Sequence, residues 1–253
     1  MSPLIFGPPT PLEMIQGIFN TIFVVITIYI GLIFISKYFQ HKNRNLYLFG
    51  IFWIGAAIWF VFIPIQFVLL FFEITIHDWA YYLVMYPILP VIAVVWLIAV
   101  TKLLYFDRRT LFLRVFTLMA ILFEILFFSF LFIDDRLIAT RPGYFYIEMT
   151  PFAIFYIVFL MSFILITGVM FGISSLDSKN PEIRMKGKLI IISIFLFGGG
   201  AATDLLIPPL DLDPIIKAII TIIARILMSS SGILFYIGFM LPNWTKKILF
   251  RKK

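Results

Sequence analysis

The sequence predicts an all-α polytopic membrane protein: a seven-transmembrane-helix bundle with its N-terminus outside and its C-terminus cytoplasmic. Three observations carry this expectation. Mean hydropathy is +1.08, and 62% of the 253 residues are hydrophobic against 13% charged, where a soluble domain carries about 25% charged residues. The apolar residues fall into seven runs of roughly 20 to 25 residues, the length a helix needs to cross a hydrocarbon core about 30 Å thick. Lys and Arg gather in alternate connections. The runs do not alternate apolar with polar, which sets aside an outer-membrane barrel.

Taken in order, span one covers Leu12–Ser36 and places Glu13, Gln16 and Asn20 on one helical face. The preceding Met1 to Pro11 lacks a basic n-region and a small-residue cleavage site, so span one is expected to be retained. Span two, Leu46–Phe72, contains Pro64 followed by Gln66, and span three, Trp79–Leu103, contains Pro87 and Pro90. These prolines remove backbone donors and predict kinks toward the outer ends of both helices. Span four is Leu111–Ile133, with Glu124 at mid-depth, and span five is Thr150–Ile173.

Span six, Lys188–Ile207, holds Gly198, Gly199 and Gly200, then Ala201, Ala202 and Asp204, ahead of Pro208 and Pro209. Small residues there suit either close helix packing or a hinge. Span seven, Pro214–Leu241, carries Thr221, Arg225, Ser229, Gly232 and Tyr236 at steps of three and four, a polar stripe along an Ile/Leu/Phe cylinder. The transmembrane domain is residues 1–241. Residues 242–253 form a basic amphipathic tail in which Trp244, Lys246, Lys247 and Arg251 suit contact with an anionic bilayer surface or a protein partner.

Orientation follows from the positive-inside rule. Lys37, Lys42 and Arg44 follow span one; Lys102, Arg108, Arg109 and Arg114 follow span three; Lys179, Arg184, Lys186 and Lys188 follow span five. The tail adds Lys246, Lys247, Arg251, Lys252 and Lys253, so 16 of 20 basic residues lie on one side. The opposite connections carry Glu13, Glu73, Asp78, Asp134, Asp135, Glu148, Asp211 and Asp213. Topology thus accounts for the net charge of +7, and nucleic acid is not an expected partner.

Three charges fall within spans. Arg225 is about 16 Å from Pro214 along the helix, near mid-membrane, where an arginine costs about 2.5 kcal/mol or more. It therefore needs a partner. Glu124 lies at nearly the same depth, while Asp204 is nearer the outer surface but on the neighbouring span, and both remain candidates. The polar core expected to bind a ligand is Arg225, Asp204, Glu124, Gln16, Asn20, Thr221 and Ser229. Its pocket would be lined from spans one, three, six and seven. The residues expected to hinge or pack closely are Gly198, Gly199, Gly200, Pro87, Pro90 and Pro64. Trp79, Tyr81, Tyr82, Tyr86, Tyr144 and Tyr146 read first as an interfacial aromatic belt.

Several chemistries are disfavoured. With no cysteine there are no thiolate ligands or nucleophiles, and His41 and His77 lie in opposite connections, so paired haem ligands are missing. No HExxH, GxSxG or Walker sequence occurs, so neither a cofactor nor a metal is expected and the chain is not read as an enzyme. Arg225 occupies the mid-span position where a retinal lysine would be needed.

The RMKGK run from Arg184 to Lys188, leading into span six, and the GILFYIGFMLPNW run from Gly232 to Trp244, closing span seven before basic residues, are suggestive. With the N-out, C-in arrangement they resemble the seven-helix membrane sensor regions that precede histidine kinases in bacteria and archaea. The resemblance implies a prokaryotic plasma membrane and a receptor or sensor. No kinase segment follows Lys253, so it also implies signalling through a separate cytoplasmic or membrane partner. The expected function is binding of a small or lipophilic ligand in the outer half of the bundle. The alternatives are a transporter, channel or proton-coupled carrier using Glu124, Asp204 and Arg225, and an accessory subunit of a membrane complex.

Overall fold

The computed structural model describes residues 9–104, 108–207, 210 and 212–249; Pro208, Pro209 and Arg251 lie outside them. Seven helical segments within it are long and apolar enough to cross a membrane. They comprise α1 (Pro11–His41), α2 and α3 (Arg44–Phe60, Phe62–Leu70), α4 and α5 (Asp78–Met85, Ile88–Leu103), α6 (Arg109–Ile133), α7 (Pro151–Leu176), α8 (Pro181–Leu206) and α9 (Pro214–Met240). A short α10 (Asn243–Leu249) follows.

Four spans begin with the same device, a capping side chain followed by proline. Thr10 accepts from the Glu13 N–H at 3.3 Å while the Glu13 carboxylate accepts from the Thr10 N–H at 2.8 Å. Thr150, Asn180 and Asp213 cap α7, α8 and α9, each with proline as the first helical residue. Proline is suited to that position because its missing N–H would be unbonded anyway. This explains the largest boundary correction: span six starts at Pro181, seven residues before the expected Lys188, and the RMKGK run forms part of its first two turns. Hydropathy reads that basic turn as loop, whereas the Asn180 cap fixes the helix start.

The expected proline breaks are present. Pro64 cannot bond to the Phe60 carbonyl, and the second span divides at Val61, whose N–H tightens to a contact with the Ile58 carbonyl at 3.1 Å. The third span divides at Tyr86–Pro87, one turn from Pro90, with the Leu89 N–H bonded to the Tyr86 carbonyl at 3.1 Å.

The spans form a ring. Span one packs on span two, two on three, three on five, five on six, six on seven, and seven back on one. Span four stands outside this ring, where Phe116 and Phe123 meet Phe159 and Phe163 of α7. Glycines set two crossings. A Cβ on Gly31 of α1 would lie 2.9 Å from the Gly50 oxygen of α2, and one on Gly187 of α8 only 2.6 Å from the Gly172 oxygen of α7.

One end of the bundle is acidic and carries the start of α1 and the connections around Asp78, Asp134 and Asp213; the other is basic. At the acidic end the α6–α7 connection folds into a small hairpin, with Ala139 paired to Met149 and Thr140 to Glu148. Toward the basic end the bundle centre is filled by aromatic rings. Phe49 packs against Trp96, Phe235 and Phe239 with centroids 5.6, 5.2 and 4.8 Å away, and Phe34, Trp53 and Phe52 close round them.

Candidate functional site

The site is built outward from Arg225, halfway along α9. Its side chain is nearly sealed from solvent, at 5% exposure. Nη1 donates to Asp204 Oδ2 at 2.7 Å, and Nε donates to Asn20 Oδ1. The guanidinium carbon lies 4.6 Å from the centre of the Phe60 ring and 5.8 Å from that of Phe23. A desolvated cation over an aromatic face gains about 2 kcal/mol. Four spans therefore meet at this one side chain: seven through Arg225, six through Asp204, one through Asn20 and Phe23, and two through Phe60.

Sequence alone left two carboxylates as partners, and the geometry selects Asp204. Glu124 is on peripheral span four and accepts a hydrogen bond from the Tyr156 hydroxyl of α7. Its equal depth with Arg225 does not matter, because span four lies outside the ring that holds spans six and seven. Glu124 is thereby corrected out of the polar core.

An apolar cavity opens beside the pair in the acidic half of the bundle, with room for the centres of water-sized molecules over about 90 Å³. Its aromatic wall includes Phe52, Trp59, Phe60, Tyr81 and Phe145, and Met85, Met149, Met161 and Met228 lie among its other residues. Thr221, Asp204 and Arg225 form the polar patch, and these two ions are the only charged residues in the lining among the described residues. The lining comes from spans two, three, five, six and seven and from the hairpin, not from span one as expected. Gln16 and Asn20 stand behind the wall: Gln16 is 1% exposed and donates to the Tyr146 hydroxyl, while the Asn20 side-chain amide donates to the Gln16 carbonyl at 2.9 Å. Ser229 is half-exposed and outside the wall. The buried serine of α9 is Ser231, bonded to Ser193 of α8, so the stripe is rotated from the one expected.

The glycine run divides its work. Gly200 lies against Met228 and the Ala224 oxygen of α9, Gly198 against Leu165 of α7, and Gly199 faces open space, while α8 continues unbroken through all three. This arrangement is close packing rather than a bend in the helix. Pro64, Pro87 and Pro90 flank the cavity from spans two and three, which bring Ile63, Met85 and Leu89 into its wall.

The expected aromatic belt is corrected. Tyr81, Tyr82, Tyr86 and Tyr144 are 2%, 0%, 0% and 6% exposed, and only Trp79 of that set is clearly outside, at 51%. Sequence reasoning also missed Arg141. This second buried arginine, 4% exposed, ties the hairpin to α4 through Asp78 at 3.4 Å and sits 4.8 Å above the Tyr81 ring. The available signal was its position beside Pro142-Gly143 and three aromatic residues, a turn that can fold back onto the bundle. Outside the spans, burial raises the Tyr146 hydroxyl above its ordinary range, opposed by its bond to Gln16. The paired hydrogen bonds from Arg136 hold the Asp134 carboxyl below its ordinary range.

At the basic end Lys246 of α10 pairs with Glu182 of α8 at 2.6 Å, while Trp244 and Ile248 are 56% and 69% exposed. No cluster of metal-ligating side chains occurs among the described residues. Comparison of the chain with protein-family models and with curated proteins finds no match.

Proposed function

We propose that this integral membrane protein is a receptor or sensor that binds a small lipophilic ligand in the cavity beside Asp204 and Arg225. The observation that carries this function is a desolvated ion pair placed on the wall of an otherwise apolar cavity. Ligand sites commonly combine such apolar walls with a few fixed polar groups. The cavity lies in the half of the bundle that the charge pattern assigns to the outside.

Seven-helix sensor regions ahead of histidine kinases resemble this arrangement, and the exposed Trp244, Lys247 and Ile248 of α10 offer a cytoplasmic surface for a bilayer or a separate output protein. Transport is the weaker alternative. The buried rings of Phe49, Trp96 and Phe235 fill the bundle below the cavity, and Glu124 stands on a peripheral span, so Glu124, Asp204 and Arg225 do not line one path.

Thermal unfolding in nanodiscs against a panel of small lipophilic molecules, paired with liposome flux assays, tests the choice. A ligand-dependent rise in the unfolding midpoint without flux is the expected result. Flux that is lost in Asp204→Asn would overturn it in favour of a carrier.

A further inference from the structure

We propose that the ligand is an uncharged amphipathic molecule, an apolar chain or ring system bearing a hydroxyl or carbonyl group seated at Asp204 and Arg225. This rests on the ligand-binding function proposed above and adds the ligand's charge to it. The two lining charges among the described residues are bonded to each other, so the patch that those residues form is neutral as a whole. Beyond Tyr81, Arg141 and Asp78 form a second, looser ion pair at 3.4 Å. The Asp204 side chain is 23% exposed, and its Oδ1 has no hydrogen-bond partner among the described residues.

An anionic head group drawn to the guanidinium would face that free carboxylate oxygen. A cationic head group drawn to the oxygen would face the guanidinium. Either ion loses its hydration without gaining an unopposed counter-charge, and desolvation of an ion is the larger quantity in such a setting. A hydroxyl avoids the penalty, since it can donate to Asp204 Oδ1 and lie against the Thr221 and Tyr81 side chains that also line the cavity. The four lining methionines are flexible enough to fit chains of differing shape.

The test uses decanol, decyl sulfate and decyltrimethylammonium, each brominated on the chain, with the protein in nanodiscs. Binding is read as fluorescence quenching present in wild type and lost in Trp59→Phe, which removes the tryptophan in the cavity wall. Decanol is expected to bind roughly ten-fold or more tighter than either ion, a difference of about 1.4 kcal/mol. Asp204→Asn should then raise the affinity for the sulfate relative to decanol by a similar factor. Wild-type preference for either ion, or an unchanged order in a folded Asp204→Asn protein, would overturn the proposal. If that variant does not fold, the wild-type comparison decides alone. Absence of Trp59-dependent quenching with all three probes would instead overturn the ligand-binding function itself.

Discussion

Arg225 gains its position from three contacts that differ in kind: a carboxylate, an amide oxygen and an aromatic face. Removing the guanidinium while leaving Asp204 strands a carboxylate in a half-buried site. Arg225→Met should therefore destabilise the protein by about 2 to 3 kcal/mol, at or below the lower end of the range of about 3 to 5 kcal/mol for breaking a buried pair, because Asp204 retains some exposure. The double variant Arg225→Met with Asp204→Asn should recover part of that loss, whereas adding Glu124→Gln to Arg225→Met should recover none. Chemical unfolding in mild detergent measures both. Tyr146 offers a pH test. Its hydroxyl is raised above the ordinary 10.0 by burial, so the folded state favours the neutral form. That contribution is fully present below pH 10 and is lost as pH rises through the higher folded value. The 295 nm difference titration between wild type and Tyr146→Phe should show a midpoint above 10; one at or below 10 would contradict the burial of this side chain.

At the scale of elements, the glycines of α8 separate packing from helix propensity. Gly187→Ala places a methyl group 2.6 Å from the Gly172 oxygen, a backbone atom that cannot turn aside. It should cost about 1 to 3 kcal/mol as overpacking does. Gly199→Ala meets nothing within 4 Å and should be neutral or stabilising by up to about 1 kcal/mol through helix propensity. Comparable losses in the two variants would contradict the assigned faces. The spans themselves were legible because hydropathy acts locally, as do the prolines that break the helices at Val61 and Tyr86, whereas hydropathy alone misplaces the start of span six at Lys188. Facing was less legible. Ser231, not Ser229, is buried because it is the serine that faces Ser193 of α8, which donates to its carbonyl at 2.8 Å. The tyrosines of α4 look interfacial in sequence but turn inward, since the hairpin carrying Arg141 covers them. Long-range contacts of this kind leave no periodic signal.

For the whole molecule, the uneven distribution of charge between the two ends, basic residues gathered at one and acidic residues at the other, supports alternating topology, and the absence of cysteine makes it simple to test. Single cysteines at Thr140 and Ser178 should be labelled by membrane-impermeant reagents from opposite sides in intact cells, Thr140 from outside. The ring of six spans with a peripheral seventh also explains why mid-depth alone failed to identify the partner of Arg225: depth says nothing about which helices adjoin. The central claim is that the cavity beside Asp204 and Arg225 is a ligand site. The most direct measurement is the unfolding midpoint in nanodiscs titrated with decanol, for wild type beside Ala201→Leu, which fills the cavity from α8. A dose-dependent rise in wild type that is abolished in a folded Ala201→Leu protein is predicted; an equal shift in both, or none in either, would contradict it.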